Sequence, residues 1–486
     1  MKTYIGVDLG TSAIKLILVN SEGQILNEAS EEYPLLFPHP NWSEQEPSKW
    51  WDAFVNGMRT LLNGFNPKEV RGICVSGQMH GLVILDKDNK VIRPAILWND
   101  GRTVEEVEYL NNVIGKEKLV QYTGNFAFAG FTAPKILWLK KNEPDNFNKV
   151  KHILLPKDYL TFMLTGQYST DYSDASGMLL LDAEHNKWSD EMIDIVGISK
   201  EMLPTLYYSY DKVGLLKEEV ADLLCLSKDV FVTAGAGDNA AAAVGVNCVK
   251  NNTCIVTLGT SGAIFLSSDK YFSDPTVALH TFNRVDGKYH LMGCILSGAS
   301  CNKWWIKEVL NSDYDKEHQY NDEQLGNNKV LFAPYLMGER CPYNDPELRG
   351  AFIGLSMDTK KEDMSLAVLE GVTFAIRDCL ELMRNKGIMI DRVTLCGGGK
   401  RTHVWPKIVA NVLNVEVDLI QNDEGPALGS AILAMVADNQ YKDVIEAADK
   451  ITIVEKVVKQ DPEIVLRYDK LYKKYTKIYK ALKELD

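Results

Sequence analysis

One short word occurs twice in this chain, near its start and near its middle, and each time in the same setting. Residues 5–12 read IGVDLGTS and residues 254–261 read CIVTLGTS. Each copy opens with an apolar β-type run (Tyr4 to Val7; Cys254 to Val256), turns at Gly-Thr-Ser, and resumes with a second apolar run (Ile14 to Val19; Ala263 to Leu266). That is the pattern of a strand–turn–strand hairpin. A four-residue match alone carries little, but the shared setting makes duplication the economical reading: two similar halves, each opening with one hairpin. The repeat places the boundary near residues 245–252, with domains over 1–247 and 248–486, because no Gly/Ser- or Pro-rich linker marks it.

Between and after the hairpins, strand-like runs (Ile73 to Val75, Leu82 to Leu85, Val230 to Thr233, Val393 to Cys396, Val415 to Leu419) alternate with helical stretches (Pro47 to Leu62, Val104 to Leu110, Ala133 to Lys141, Val404 to Leu413, Pro426 to Ala437). The alternation predicts an α/β fold. Near the end, Tyr468, Leu471, Tyr475, Ile478, Leu482 and Leu485 recur at three- and four-residue spacing, which predicts an amphipathic helix packed on its own domain. A length of 486 residues supplies such domains with cores of their own. The net charge of −13 disfavours nucleic acid or an anionic membrane as partner, and no apolar run reaches the ~20 residues of a membrane span. Nine irregularly spaced cysteines, with no Cys-x-x-Cys pair and no zinc spacing, read as reduced thiols of a cytoplasmic protein.

Gly10-Thr11-Ser12 and Gly259-Thr260-Ser261 each bring backbone N–H groups and two hydroxyls to a tight turn that an anion can approach. Either turn alone is only a hairpin, whereas two on matching hairpins suggest a pair of facing phosphate clamps. Asp8 precedes the first and Thr257 the second, so one side alone presents a carboxylate, as a single Mg²⁺ position requires. There is no Walker A spacing and no His-Arg-Asp loop, which removes P-loop NTPases and protein kinases. Asp238 opens the Ala-rich stretch Ala240 to Ala243 at a helix N-terminus; it suits a helix cap and equally a general base taking a proton from a substrate hydroxyl. Met79-His80-Gly81 offers a thioether and an imidazole on a loop, and Trp98-Asn99-Asp100-Gly101-Arg102 suits sugar recognition as well as an ordinary turn. Gly397-Gly398-Gly399-Lys400 lets a flat ring or a phosphate lie on backbone, and Gly425 and Gly429 allow close approach of backbone or ligand.

In order, DLGTS, SGQMHG, WNDGR, GFTAPKILW, GAGDN, the second LGTS, GERCPYNDPELRG, GGGKR and EGPALGSA resemble the FGGY carbohydrate kinases across nearly the whole chain. The stretches Gly130 to Asn142 and Gly350 to Glu370 fit that family's signatures. The Met79-His80-Gly81 and Trp98 to Arg102 loops and the run Asn41 to Glu46 look most like its xylulokinase branch. The resemblance implies two actin-like, ribonuclease-H-type domains with ATP, Mg²⁺ and a small sugar in the cleft between them, and a possible homodimer. It implies transfer of the ATP γ-phosphoryl group to D-xylulose, with ribulose, gluconate or another polyol as the alternative acceptor and an actin-like nucleotide switch as a rival of another class. Carried onto this sequence, it puts Asp238 on the base and Asp8 beside the metal. It puts Gln78, Met79, His80, Trp98, Asp100, Asp238 and Asn239 on the sugar. On the nucleotide it puts Gly10, Thr11, Ser12, Lys15, Gly259, Thr260, Ser261, Gly398, Gly399 and Lys400. The sequence departs from the family at Ala13, Ala236 and Lys400-Arg401, which bears on nucleotide affinity rather than reaction type.

Overall fold

In the computed structural model, which describes residues 1–485 apart from 277, 391, 422 and 423, the duplicated word marks a duplicated sheet. The first sheet holds β1 (Thr3–Leu9), β2 (Ala13–Asn20), β3 (Ile25–Glu32), β4 (Val70–Gly77), β5 (Lys212–Leu215) and β6 (Phe231–Thr233), with the short β7 (Ala236–Gly237) pairing the end of β4. The second holds β8 (Cys254–Leu258), β9 (Gly262–Ser268), β10 (Leu279–Asn283), β11 (Tyr289–Ile295), β12 (Arg392–Cys396), β13 (Glu416–Ile420) and β14 (Val454–Val458). The first runs β3-β2-β1-β4-β6-β5 and the second β11-β9-β8-β12-β13-β14, with β10 added at the edge. Along both paths the pairings go antiparallel, antiparallel, parallel, parallel, antiparallel. In both hairpins the three residues Gly-Thr-Ser are the whole connection, because β1 ends at Leu9 and β8 at Leu258.

Each sheet is covered outside by its own helices. Helix α1 (Pro47–Leu61) lays Trp50, Phe54 and Met58 on the first sheet, and α2 (Pro156–Thr165) joins the same core. Residues 78–211, between β4 and β5, form an insertion with its own core around Phe131, Trp138, Leu139 and Met178.

On the inner faces helices bridge the halves. Helix α3 (Asp238–Gly245), which follows β6, keeps Ala240, Ala241 and Val244 in the first lobe's cluster and packs Ala243 against Ile255, Phe265 and Ile420 of the second sheet. Helix α4 (Gly425–Ala437), which follows β13, packs Ala427, Ala431 and Leu428 against Tyr4, Ile17, Val19 and Cys74 of the first. The bridging depends on glycine, since any larger residue would hold the backbones apart. A Cβ at Gly429 would stand 1.8 Å from the Ala241 carbonyl oxygen, one at Gly245 2.1 Å from that of Gly425, and one at Gly6 2.0 Å from that of Ala427.

The expected C-terminal helix is two, Pro462–Tyr475 and Ile478–Lys483, and its apolar stripe through Ile478 is buried in the second lobe's core, leaving Leu485 exposed. The helix expected over 104–110 starts at Val104 and widens into π turns that run to Gly115. All nine cysteines carry free thiols, and among the described residues no helix is long and apolar enough to cross a membrane.

Candidate active site

The carboxyl ends of β1, β4 and β6 open into the cleft between the lobes, where ligands of parallel α/β sheets are bound. Both Gly-Thr-Ser turns are braced from behind through their carbonyls. The Tyr33 hydroxyl donates to Gly10 O and the Gln45 amide to Thr11 O at 2.7 Å. In the second turn Gly259 O accepts from Ala299 N at 2.7 Å and Thr260 O from Gly298 N at 3.0 Å. With the oxygens tied inward, Ser12, Thr260 and Ser261 are left exposed at the tips.

Two acids meet below the first turn. Asp8, near the end of β1, has a buried Oδ1 with no hydrogen-bond partner. Burial and then the charge of Asp238 push its carboxyl up to about 7, with Glu424 adding to the rise and Lys15 opposing it. Asp238 lies in the first turn of α3, where Oδ1 accepts from Asn239 N at 2.7 Å and from the Asn239 side-chain amide at 2.9 Å. Burial raises it to about 6 against those two bonds. An orphaned buried carboxylate oxygen facing a second carboxyl is a setting a divalent cation fits, and Mg²⁺ asks for only one or two protein carboxylates when phosphates and water complete its shell. Among the described residues no group of three or more His, Cys, Asp or Glu side chains gathers to hold a metal by itself.

The sugar-side residues form a wall beside Asp238. The Asn239 amide lies 3.8 Å from the Met79 sulfur, which packs against Gly237. His80 takes a left-handed backbone (φ 70°) that is pinned by Thr132 Oγ1 at 3.0 Å and Lys135 Nζ at 2.8 Å, both donating to its carbonyl. Burial, then the Lys135 charge, pushes the imidazole down to about 3, so it is neutral. Nδ1 lies 2.7 Å from the Gly177 carbonyl and must donate there, which leaves Nε2 as an acceptor for a hydroxyl. Gln78 is buried, spends its amide on Gln45 at 3.0 Å, and keeps an Oε1 without a partner. Trp98 is half-exposed and donates Nε1 to Thr11 Oγ1 at 3.0 Å, which links its loop to the first Gly-Thr-Ser turn.

Three of the expected contacts are engaged by the protein itself. Asp100 is buried, its oxygens accepting from Ser43 N at 2.6 Å and from Arg102 Nε and Nη2 at 2.8 and 2.7 Å, while Arg102 stacks 3.7 Å from the Trp42 ring. It shapes the loop that carries Trp98. Lys15 is ion-paired to Glu424, which precedes α4, and to Glu28 at 3.2 Å. Lys400 donates to Ile420 O at 3.2 Å.

On the other wall a cavity of 370 Å³ is lined by Asp238, Asn239, Thr257, Phe265 and Gly397, and one of 710 Å³ by Gly259, Thr260, Ser300, Tyr314, His318 and Gly399. Gly398 and Arg401 line both, so the two form one trough leading from Asp238 past the second turn. Gly397 is left-handed (φ 84°) and a Cβ there would lie 2.7 Å from Leu258 O, whereas one at Gly398 would meet nothing within 4 Å. Ser300, Tyr314 and His318 carry no motif; only the fold brings them here. Arg401 stood out in the sequence only as part of the Lys400-Arg401 pair that follows the triple glycine.

Paired lobes of equal topology, two anion turns and an acid beside a polar wall describe a phosphotransferase acting on a small hydroxylated molecule. The chain belongs to the FGGY family of carbohydrate kinases: the family's N-terminal domain matches residues 3–245 and its C-terminal domain residues 254–437. The fold is accordingly the actin-like α/β pair of that family. Xylulose kinase of Escherichia coli strain K12 is 40% identical over 455 residues, 93% of each chain. A crystal structure of a "xyloylose kinase" from Brucella ovis is 38% identical and superposes over 100% of both chains with a TM-score of 0.94. A gluconate kinase from Lactobacillus acidophilus is 28% identical, covers 99% of this chain and 98% of its own, and reaches 0.93.

Proposed function

We propose that the protein phosphorylates D-xylulose at its terminal hydroxyl, with ATP as donor, giving D-xylulose 5-phosphate and ADP. The observation that carries this is the position of Asp238: one carboxyl borders both the Met79 and Asn239 side of the sugar wall and the trough that leads to the second phosphate turn. The Asp238 carboxylate takes the proton of the terminal O–H, the freed oxygen bonds to the γ-phosphorus, and the bond from that phosphorus to the β,γ-bridging oxygen breaks as ADP leaves. Neutral His80 and the free oxygen of Gln78 accept from sugar hydroxyls, while Trp98 covers the apolar face. Gly10 to Ser12 and Gly259 to Ser261 hold the phosphates, and Gly398, Gly399 and Arg401 the rest of the nucleotide. Asp8 would hold Mg²⁺, which when bound would neutralise charge on the phosphates. Buried free thiols support a cytoplasmic setting.

The gluconate kinase superposes nearly as well as the Brucella ovis enzyme, so the acceptor is chosen by loop side chains and not by the fold. The test is ADP release with MgATP against D-xylulose, L-xylulose, D-ribulose, L-ribulose, gluconate and glycerol, with a no-sugar control. Release confined to D-xylulose is expected. Faster release with another acceptor would replace the substrate, and equal release without sugar would replace the reaction class.

A further inference from the structure

Against the segment that leads into Asp238, a lysine is buried among three carboxylates. Lys157, at the start of α2, is inaccessible to solvent, with Nζ 2.6 Å from Asp158, 3.1 Å from Asp171 and 3.7 Å from Asp174, all equally inaccessible. Burial disfavours its charge, but the three carboxylates outweigh that and raise its pKa, so it stays an ammonium. A buried charge cluster of this kind adds little to stability compared with apolar packing, and a specific geometric task is the best reason to keep one.

The cluster is wired to the segment that ends in Asp238. Lys157 Nζ donates to Ala234 O at 3.3 Å. Asp171 Oδ2 accepts from Ser173 N at 2.9 Å, from the Ser173 hydroxyl, and from the Ser209 hydroxyl at 2.6 Å. Ser209 O accepts from Gly235 N at 3.0 Å, and Ser173 Oγ accepts from Gly237 N at 3.0 Å. The backbone from Ala234 to Gly237 is therefore held at three points by one connected network, and the next residue is Asp238. The segment also lies close against β4, since Gly235 is left-handed (φ 77°) and a Cβ there would lie 1.9 Å from Val75 O.

We propose that Lys157, Asp171 and Ser173 are positioning residues for the phosphoryl-transfer step, setting where the Asp238 carboxylate stands relative to the sugar hydroxyl. The inference rests on Asp238 being the base. None of the three need touch a ligand; the ammonium fixes Asp171, Asp171 orients the Ser173 hydroxyl, and the hydroxyl fixes the amide from which the catalytic turn starts. Displacement of a reacting group by about 1 Å can cost about 10²-fold in rate.

The experiment is a cycle of Ser173→Ala, and separately Asp171→Asn, in the parent and in an Asp238→Asn background. Turnover of D-xylulose is followed at high enzyme concentration, with KM for ATP and melting temperature measured alongside. In the parent background each change is expected to lower kcat by about 10–100-fold while KM for ATP shifts less than about twofold. In the Asp238→Asn background the same changes are expected to cost nothing further, because the group they position is gone. An equal loss in both backgrounds, or no loss from Ser173→Ala in the parent, would overturn the network. Normal turnover by Asp238→Asn alone would instead overturn the base beneath it. Should Asp171→Asn not fold, Ser173→Ala, which removes a single hydroxyl, decides the matter.

Discussion

The Asp238 carboxyl is held near 6 by burial working against two bonds from Asn239, so it is ionised at neutral pH and protonated in mild acid. A base must be ionised to work, hence kcat is expected to fall on the acid side with a midpoint near pH 6. Asp238→Asn is expected to remove that limb together with about 10²–10⁴-fold of kcat; a parent profile flat down to pH 5 would take Asp238 out of the role. Asp8 makes a prediction of opposite sign for stability. Its folded pKa of about 7 lies above the ordinary value, so the folded chain holds the proton more tightly than the unfolded one. The stabilisation is complete below the unfolded pKa, about 4, and is lost as pH rises through about 7. Asp8→Asn should therefore melt a few degrees higher than the parent at pH 8, with the margin shrinking towards pH 4, while its turnover loses the parent's response to Mg²⁺. Thermal melts across that range and a Mg²⁺ titration check both halves.

At the scale of elements, the α3–α4 crossing has no space for a methyl group. Gly429→Ala is expected to destabilise the protein by about 1–3 kcal/mol, with the whole unfolding curve moving, because the added Cβ meets the Ala241 carbonyl. An unchanged urea midpoint would show that the helices slide apart freely. The two hairpins and the helix starts at Pro47 and Asp238 were legible in the sequence because their signals are local: alternating apolar runs, a Gly-Thr-Ser turn, a Pro at the first turn, an Asp before an Ala run. The two Gly-Thr-Ser turns and the Met79–His80 loop stood out for the same reason, and their proposed ligands rest on the function proposed above. What could not be read depends on partners far along the chain. Lys15 looks available beside its turn until Glu424 arrives from the other half, and Asp100 looks like a ligand until Ser43, 57 residues away in sequence, donates to the oxygen that Arg102 also holds. The bridging by α3 and α4 also left no trace, because an Ala-rich helix buried on several sides shows no preference for either sheet.

For the whole molecule, the groups proposed to hold the ligands stand on opposite walls: Asp8, Asp238 and His80 on the first lobe, Gly259 to Ser261 and Gly397 to Arg401 on the second. The lobes are fastened at the α3–α4 crossing and again where β10 meets the insertion, through Asn125 with Thr281 (2.6 and 3.0 Å) and Ser176 with Asn283 (3.0 Å). Rotation about the line joining these fastenings is the motion the fold allows. D-xylulose and a non-hydrolysable ATP analogue together are expected to lower the radius of gyration in solution scattering more than either alone; identical curves would mean that the cleft does not close. The bridging also dictates an order of events during synthesis. Tyr4, Ile17, Val19 and Phe231 are covered by Ala427 to Ile451, so the first sheet keeps part of that side wet until the segment 427–451 has been made. These early strands wait on a late segment to be closed, and through that interval their bare side is apolar surface open to aggregation.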